Sequence, residues 1–136
     1  MRRYLVIANQ TLGGKHLAEK VRACLAAEPS HFHVLVPATT ANEQVVWTEG
    51  EARAMAKERL DRALDQFRQM GADVDGEVGD ENPFDAIQDA VRDGEYDELI
   101  LSTLPVGMSR WLKQDLPHRV ERAMDLPVTH VVGDPD

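Results

Sequence analysis

Apolar positions fall into short runs of strand length separated by longer stretches of helical period. Tyr4-Leu5-Val6-Ile7-Ala8 is continuous, the pattern of a central strand covered on both faces. A polar turn of Asn9, Gln10, Thr11, Gly13 and Gly14 follows. Leu17, Val21, Cys24 and Leu25 then recur at helical spacing over Lys15–Ala27, and Pro29 closes that helix. Phe32–Val36 reads as a second strand stopped by Pro37. After an irregular Pro37–Thr48 stretch, Thr48 and Glu51 stand at capping-box spacing. The helix they open carries Ala52, Met55, Ala56, Leu60, Ala63, Leu64, Phe67 and Met70 on one stripe and ends at Gly71. Ala72–Val78 alternates weakly and reads as a more exposed third strand. Asn82-Pro83 sets up the next helix as N-cap and first helical residue, with Phe84, Ile87, Ala90 and Val91 apolar and Gly94 at its end.

The last unit runs from Asp97 to Val132. Leu99-Ile100-Leu101 is too short for a helix and reads as a buried strand. Ser102, Thr103, Pro105, Gly107 and Ser109 are turn and cap residues, after which a helical pattern leads to Pro127 and the β-branched run Val128–Val132. Strands alternating with helices imply parallel pairing and right-handed crossovers, hence an α/β doubly wound sheet with helices on both faces, in one domain over 1–136.

Composition narrows the partners. At 136 residues, 43% hydrophobic and 29% charged, the chain is of ordinary globular type. A net charge of −9 repels phosphodiester backbones, so nucleic acid is not an expected partner. Only Tyr4–Ala8 is apolar after Arg2 and Arg3, too little for a signal-peptide core, and no stretch reaches membrane-spanning length. The lone Cys24 fits a reducing compartment, and a cytoplasmic location is expected.

Tyr4–Ala8 with its turn, the long helix before the third strand and Gly76-x-Val78 follow one another in order. Gly79-Asp80-x-x-Pro83 with Ala86-Ile87, Tyr96-Asp97-x-Leu99-Ile100 and the closing Leu126-Pro127-Val128 continue the series. Together they carry a resemblance to the universal stress protein family over almost the whole length of the chain. It implies an adenine-nucleotide α-hydrolase-like sheet of five parallel strands in the order 3-2-1-4-5. It also implies a homodimer joined through the last strand, Val128–Val132.

Many members of that family bind ATP through G-x-x-G, nine residues and then G-[S/T] after the fourth strand. Aligned back from Pro127-Val128, the last pair falls on Gln114 and Asp115, and the first glycines on Leu101 and Leu104 or on Ser102 and Pro105. None is glycine, and Asn9 stands where an acid is frequent after the first strand. Phosphate approaches bare backbone N–H groups, which glycine permits. Asp115 is expected to cap the following helix and to occupy those donors. At ~4 Å and an effective dielectric of ~20 its charge would oppose a phosphate by roughly 4 kcal/mol.

The candidate ligand site is therefore the cleft of Ala8 and Asn9, the strand end Val36-Pro37, and Ser102, Thr103, Gly107, Ser109 and Arg110. Hydroxyls, an approachable glycine and a planar cation suit a small polar or anionic ligand. The preferred reading is a non-catalytic regulatory binding protein with no cofactor expected. The alternatives are an ATP- or AMP-binding protein with a remodelled loop, and a small hydrolase or transferase using Ser102 or Thr103 with His118. Gly13-Gly14-Lys15 lacks the first glycine of a Walker loop. His31 and His33 share a strand face but lack further ligands at metal-binding spacing, and no metal is expected. Trp47 and Trp111 read as packing residues, with a lid role open for Trp47.

Overall fold

The computed structural model describes residues 1–39 and 48–133. The element order is β1 (Arg2–Ile7), α1 (Lys15–Ala27), β2 (Ser30–Pro37), α2 (Glu49–Gln69), β3 (Asp73–Gly79), α3 (Pro83–Asp93), β4 (Glu98–Thr103), α4 (Arg110–Lys113), α5 (Leu116–Ala123) and β5 (Val128–Val132). All strands are parallel, in one sheet ordered β3-β2-β1-β4-β5. The expected α/β sheet of order 3-2-1-4-5 is therefore the one observed. Trp47 lies outside the described residues.

Strand alternation divides the core into two layers. Tyr4, Val6, Phe32, Val34 and Ile100 point to one face and pack under Leu17, Val21, Leu60 and Phe67 of α1 and α2. Leu5, Ile7, Leu35, Leu99 and Leu101 point to the other and meet Ile87, Trp111, Leu116 and Val120 of α3, α4 and α5. The central strand β1 is buried from Tyr4 to Ile7, as its unbroken apolar run requires.

Sequence-coded ends position the elements. Thr48 Oγ1 accepts the Glu51 N–H at 3.1 Å. Asn82 Oδ1 accepts the Asp85 N–H at 3.2 Å, with Pro83 opening α3. At the bottom of the sheet Arg2 Nη2 donates to Glu98 Oε1 at 2.9 Å and Thr129 Oγ1 donates to Glu98 Oε2 at 2.8 Å, tying β1, β4 and β5 together. Burial pushes the Glu98 carboxyl up, but the bonds from Arg2 and Thr129 outweigh it and hold the group below its ordinary value. Among the described residues no helix is long and apolar enough to cross a membrane.

The stretch after β4 departs from expectation. It forms two helices, with Asp115 between them in the left-handed region at φ 56° and ψ 37°. Asp115 makes no side-chain cap; its Oδ1 lies 2.9 Å from His118 Nδ1 on the surface. The carboxylate therefore does not occupy the N–H groups opening α5, and its expected role of blocking a phosphate there is withdrawn.

Candidate functional site

Segments following β1, β2, β3 and β4 converge at the carboxyl end of the sheet, where ligands bind in open α/β sheets. They line a cleft of about 350 Å³, within the usual range for small-molecule sites. Asn9, Gln10 and Thr11 come from the first turn and Thr39 from the end of the second strand. Glu81, Asn82 and Pro83 form the entry to α3, and Ser102–Leu104, Met108–Trp111 and Gln114 supply the rest.

Asn9 organises the floor. It is 6% exposed, and its amide donates to the Pro37 carbonyl at 2.8 Å and to Thr39 Oγ1 at 3.5 Å. Its Oδ1 accepts from Arg59 Nη1 of α2 at 2.6 Å. An asparagine supplies donor and acceptor from one side chain, so this residue joins the ends of β1 and β2 to α2. Beside it Thr11 and Ser102, both buried, place their hydroxyl oxygens 2.6 Å apart. This bond fixes the first turn to the end of β4.

The wall after β4 follows from its turn chemistry. Pro105 O accepts the Met108 N–H at 3.0 Å, and Gly107 has φ 91°, the positive value a type II turn needs at its third residue. Ser109 Oγ then caps α4 through the Leu112 N–H at 3.2 Å, leaving exposed Arg110 as the first residue of that helix at the cleft rim. Across the cleft, Asp80 Oδ1 accepts the Asn82 N–H at 2.9 Å and shapes the segment bearing Glu81. Among the described lining residues, Arg110 and Glu81 are the formally charged side chains.

Asn9, Ser102, Thr103, Ser109 and Arg110 of the expected site line this cleft. Ala8 and Val36 do not; both are fully buried in the sheet. Pro37 contributes its carbonyl to Asn9 from behind the lining, and Gly107 serves the turn rather than the cleft. Gln10, Thr11, Thr39, Glu81, Asn82, Trp111 and Gln114 were not among the expected site residues. Their signal was topological: they follow strand ends that share the carboxyl end of the sheet.

The hydrolase pairing changes partner. Thr103 Oγ1 lies 2.8 Å from Nε2 of His130 on β5, while His118 faces Asp115 on the surface. Burial pushes the His130 imidazole down, outweighing Glu121. Both nitrogens of His31 and of His33 face carboxylates, and among the described residues no group of three or more such side chains can hold a metal ion.

No family model matches the chain, and no curated protein matches it. Solved structures do. A universal stress protein from Archaeoglobus fulgidus in complex with dAMP is 14% identical, with TM-score 0.67 over 96% of this chain and 98% of that one. A universal stress protein family protein from Arabidopsis thaliana with AMP bound is 13% identical, with TM-score 0.65 over 98% of this chain and 93% of the other. A universal stress protein in complex with cAMP is 20% identical, with TM-score 0.63 over 96% of both. The chain has the universal stress protein fold.

Proposed function

We propose that this protein is a cytoplasmic binding protein of the universal stress type, acting in a stress response through ligand binding rather than catalysis. Its ligand is an adenine nucleotide bearing one phosphate. The observation that carries this reading is the cleft at the strand ends, lined by hydroxyls and amides with one cation, Arg110, set against one anion, Glu81. A single phosphate can be met by one guanidinium and neighbouring hydroxyls. A triphosphate brings several further charges into a molecule of net charge −9, with no glycine at the positions where the ATP motif would fall. Three proteins of this fold are described with mononucleotides, dAMP, AMP and cAMP, which supports the same size of ligand. The single Cys24, buried and without a second cysteine to form an internal disulfide, supports the compartment. We also infer that two copies join through the outer edge of β5.

Titration calorimetry with AMP, cAMP, adenosine and ATP·Mg tests the ligand. AMP or cAMP is expected to bind more tightly than ATP·Mg and to raise the unfolding midpoint, as any ligand specific for the folded state does. Arg110→Ala is expected to weaken AMP about tenfold, the value of one charge-assisted hydrogen bond, and to leave adenosine unchanged. Absence of binding by all four at millimolar concentration overturns the reading.

A further inference from the structure

The face of β3 turned away from α2 carries no apolar side chain. Val74 and Val78 point toward α2, while Asp73, Asp75 and Glu77 point the other way and meet His31 and His33 of β2. The five side chains form a continuous ladder. His31 Nδ1 lies 3.0 Å from Asp73 Oδ2, and its Nε2 lies 3.1 Å from Asp75 Oδ1. His33 Nδ1 lies 2.8 Å from the same Asp75 oxygen, and its Nε2 lies 3.2 Å from Glu77 Oε2. The imidazoles are sheltered, at 17% and 14% side-chain exposure, whereas the carboxylates are more than half solvated.

A neutral imidazole has one N–H and one lone pair, so it can donate to one carboxylate and must turn its lone pair on the other. Only imidazolium donates from both nitrogens. We propose that the ladder is a pH-operated clasp holding edge strand β3 to β2, closed when His31 and His33 are protonated and loosened when they are neutral.

The other charged groups around it fit this sense. Arg3 of β1 stands in register beside His31, with its guanidinium 5.9 Å from the centre of the Tyr96 ring and donating to the Glu95 carbonyl. Tyr96 lies tilted over His33 at 6.1 Å, and Asp93 at the end of α3 acts on it together with Glu77 and Asp75. With both histidines neutral the ladder carries only the three carboxylates; with both protonated, acid and base alternate along it. Burial pushes the Asp75 carboxyl up, but its bonds and charge contacts with His33 and then His31 outweigh that and hold it below the ordinary carboxylate value. The sign follows. The Asp75 contribution is present above the ordinary carboxylate range and lost as pH falls through its depressed value, whereas donation from both nitrogens of an imidazole requires the doubly protonated ring. The clasp is therefore closed where the two rings are doubly protonated and Asp75 is ionised. β3 leads directly to Glu81 and Asn82 at the wall of the cleft. The clasp itself does not rest on the nucleotide reading.

Amide hydrogen exchange of the unliganded protein, corrected for intrinsic rates, at pH ~5.5 and ~8 brackets imidazole titration and tests it. The β3 amides are expected to lose protection relative to β4 by about threefold for each contact given up, the worth of an exposed ion pair. The double variant His31→Gln/His33→Gln, which keeps an N–H donor without titrating, is expected to remove that pH dependence. Protection of β3 that tracks β4 across this range overturns the proposal, as does a folded double variant with undiminished dependence. If the double variant does not fold, nitrogen-15 spectra of the wild-type imidazoles decide. They should show both ring nitrogens protonated at the acid pH, and a single-nitrogen tautomer there overturns the clasp.

Discussion

Gly76 of β3 stands against Val34 of β2 and Leu60 of α2. A Cβ built there would stand 2.6 Å from the Val34 carbonyl oxygen and 2.7 Å from Leu60 Cδ1. The first contact is with backbone, which cannot swing aside. In an open strand, replacing glycine by alanine stabilises by about 0.5–1 kcal/mol. Here overpacking reverses the sign, and Gly76→Ala is expected to destabilise by about 1–3 kcal/mol in urea unfolding. A stabilised variant would show that β3 and Leu60 stand further apart. The sequence shows Gly76 only as the glycine of Gly76-x-Val78 in a weakly alternating strand, because the obstacle is a carbonyl from another strand. Asp115 teaches the same lesson from the other side. Aspartate favours both N-caps and left-handed conformations, since its short polar chain bonds its own neighbourhood in either. Local chemistry placed a helix boundary at Asp115; the contact with His118 and the φ of 56° show which of the two conformations it takes.

Helix ends allow a sharper test at the level of elements. Thr48 and Asn82 each accept a backbone N–H at the third helical position, so Thr48→Ala and Asn82→Ala should each cost about 1 kcal/mol. The sites share no partner, and the double variant should be additive within about 0.5 kcal/mol. Asp115→Asn, at a boundary without a side-chain cap, should stay within about 0.5 kcal/mol of the wild type. Chemical denaturation of the four variants checks the set; an Asp115→Asn loss equal to the others would restore a capping role. Most elements were legible because period and punctuation agreed, as with α1, whose Lys15–Ala27 span was read in full. The split between α4 and α5 was less so, although a trace of it lies in the spacing of Trp111 and Leu116. Five residues apart, they would sit ~140° around a continuous helix. Both are buried in the same layer, and the break at Gln114-Asp115 brings them there. The cleft was legible by half: the Ser102–Arg110 turn announces itself by composition, whereas Thr11 and Glu81 join it only through strand order.

At the scale of the molecule the two open edges of the sheet are chemically unlike. The β3 edge carries Asp73, Asp75 and Glu77, and charge along an edge opposes pairing with another chain. The β5 edge is Val128-Thr129-His130-Val131-Val132, without an acid, Lys or Arg, with Val132 47% exposed. Among the described residues no strand pairs with its outer side. Its unmet N–H and C=O groups repeat at the spacing of a β-ladder, so a second copy turned about a two-fold axis can supply the matching row. We propose the β5 edge for the inferred dimer on this asymmetry, because self-pairing through β3 would set carboxylates against carboxylates. Sedimentation velocity at micromolar concentration is expected to show a dimer. Val132→Lys puts a charge on that edge without touching the β4 side, where the Gly133 N–H donates to the Thr103 carbonyl at 2.9 Å. It should yield a monomer with unchanged circular dichroism, since lysine on an edge opposes pairing while leaving a strand intact. A wild-type monomer removes the dimer. A dimer undisturbed by Val132→Lys, and equally undisturbed by Thr129→Lys, moves the interface away from β5.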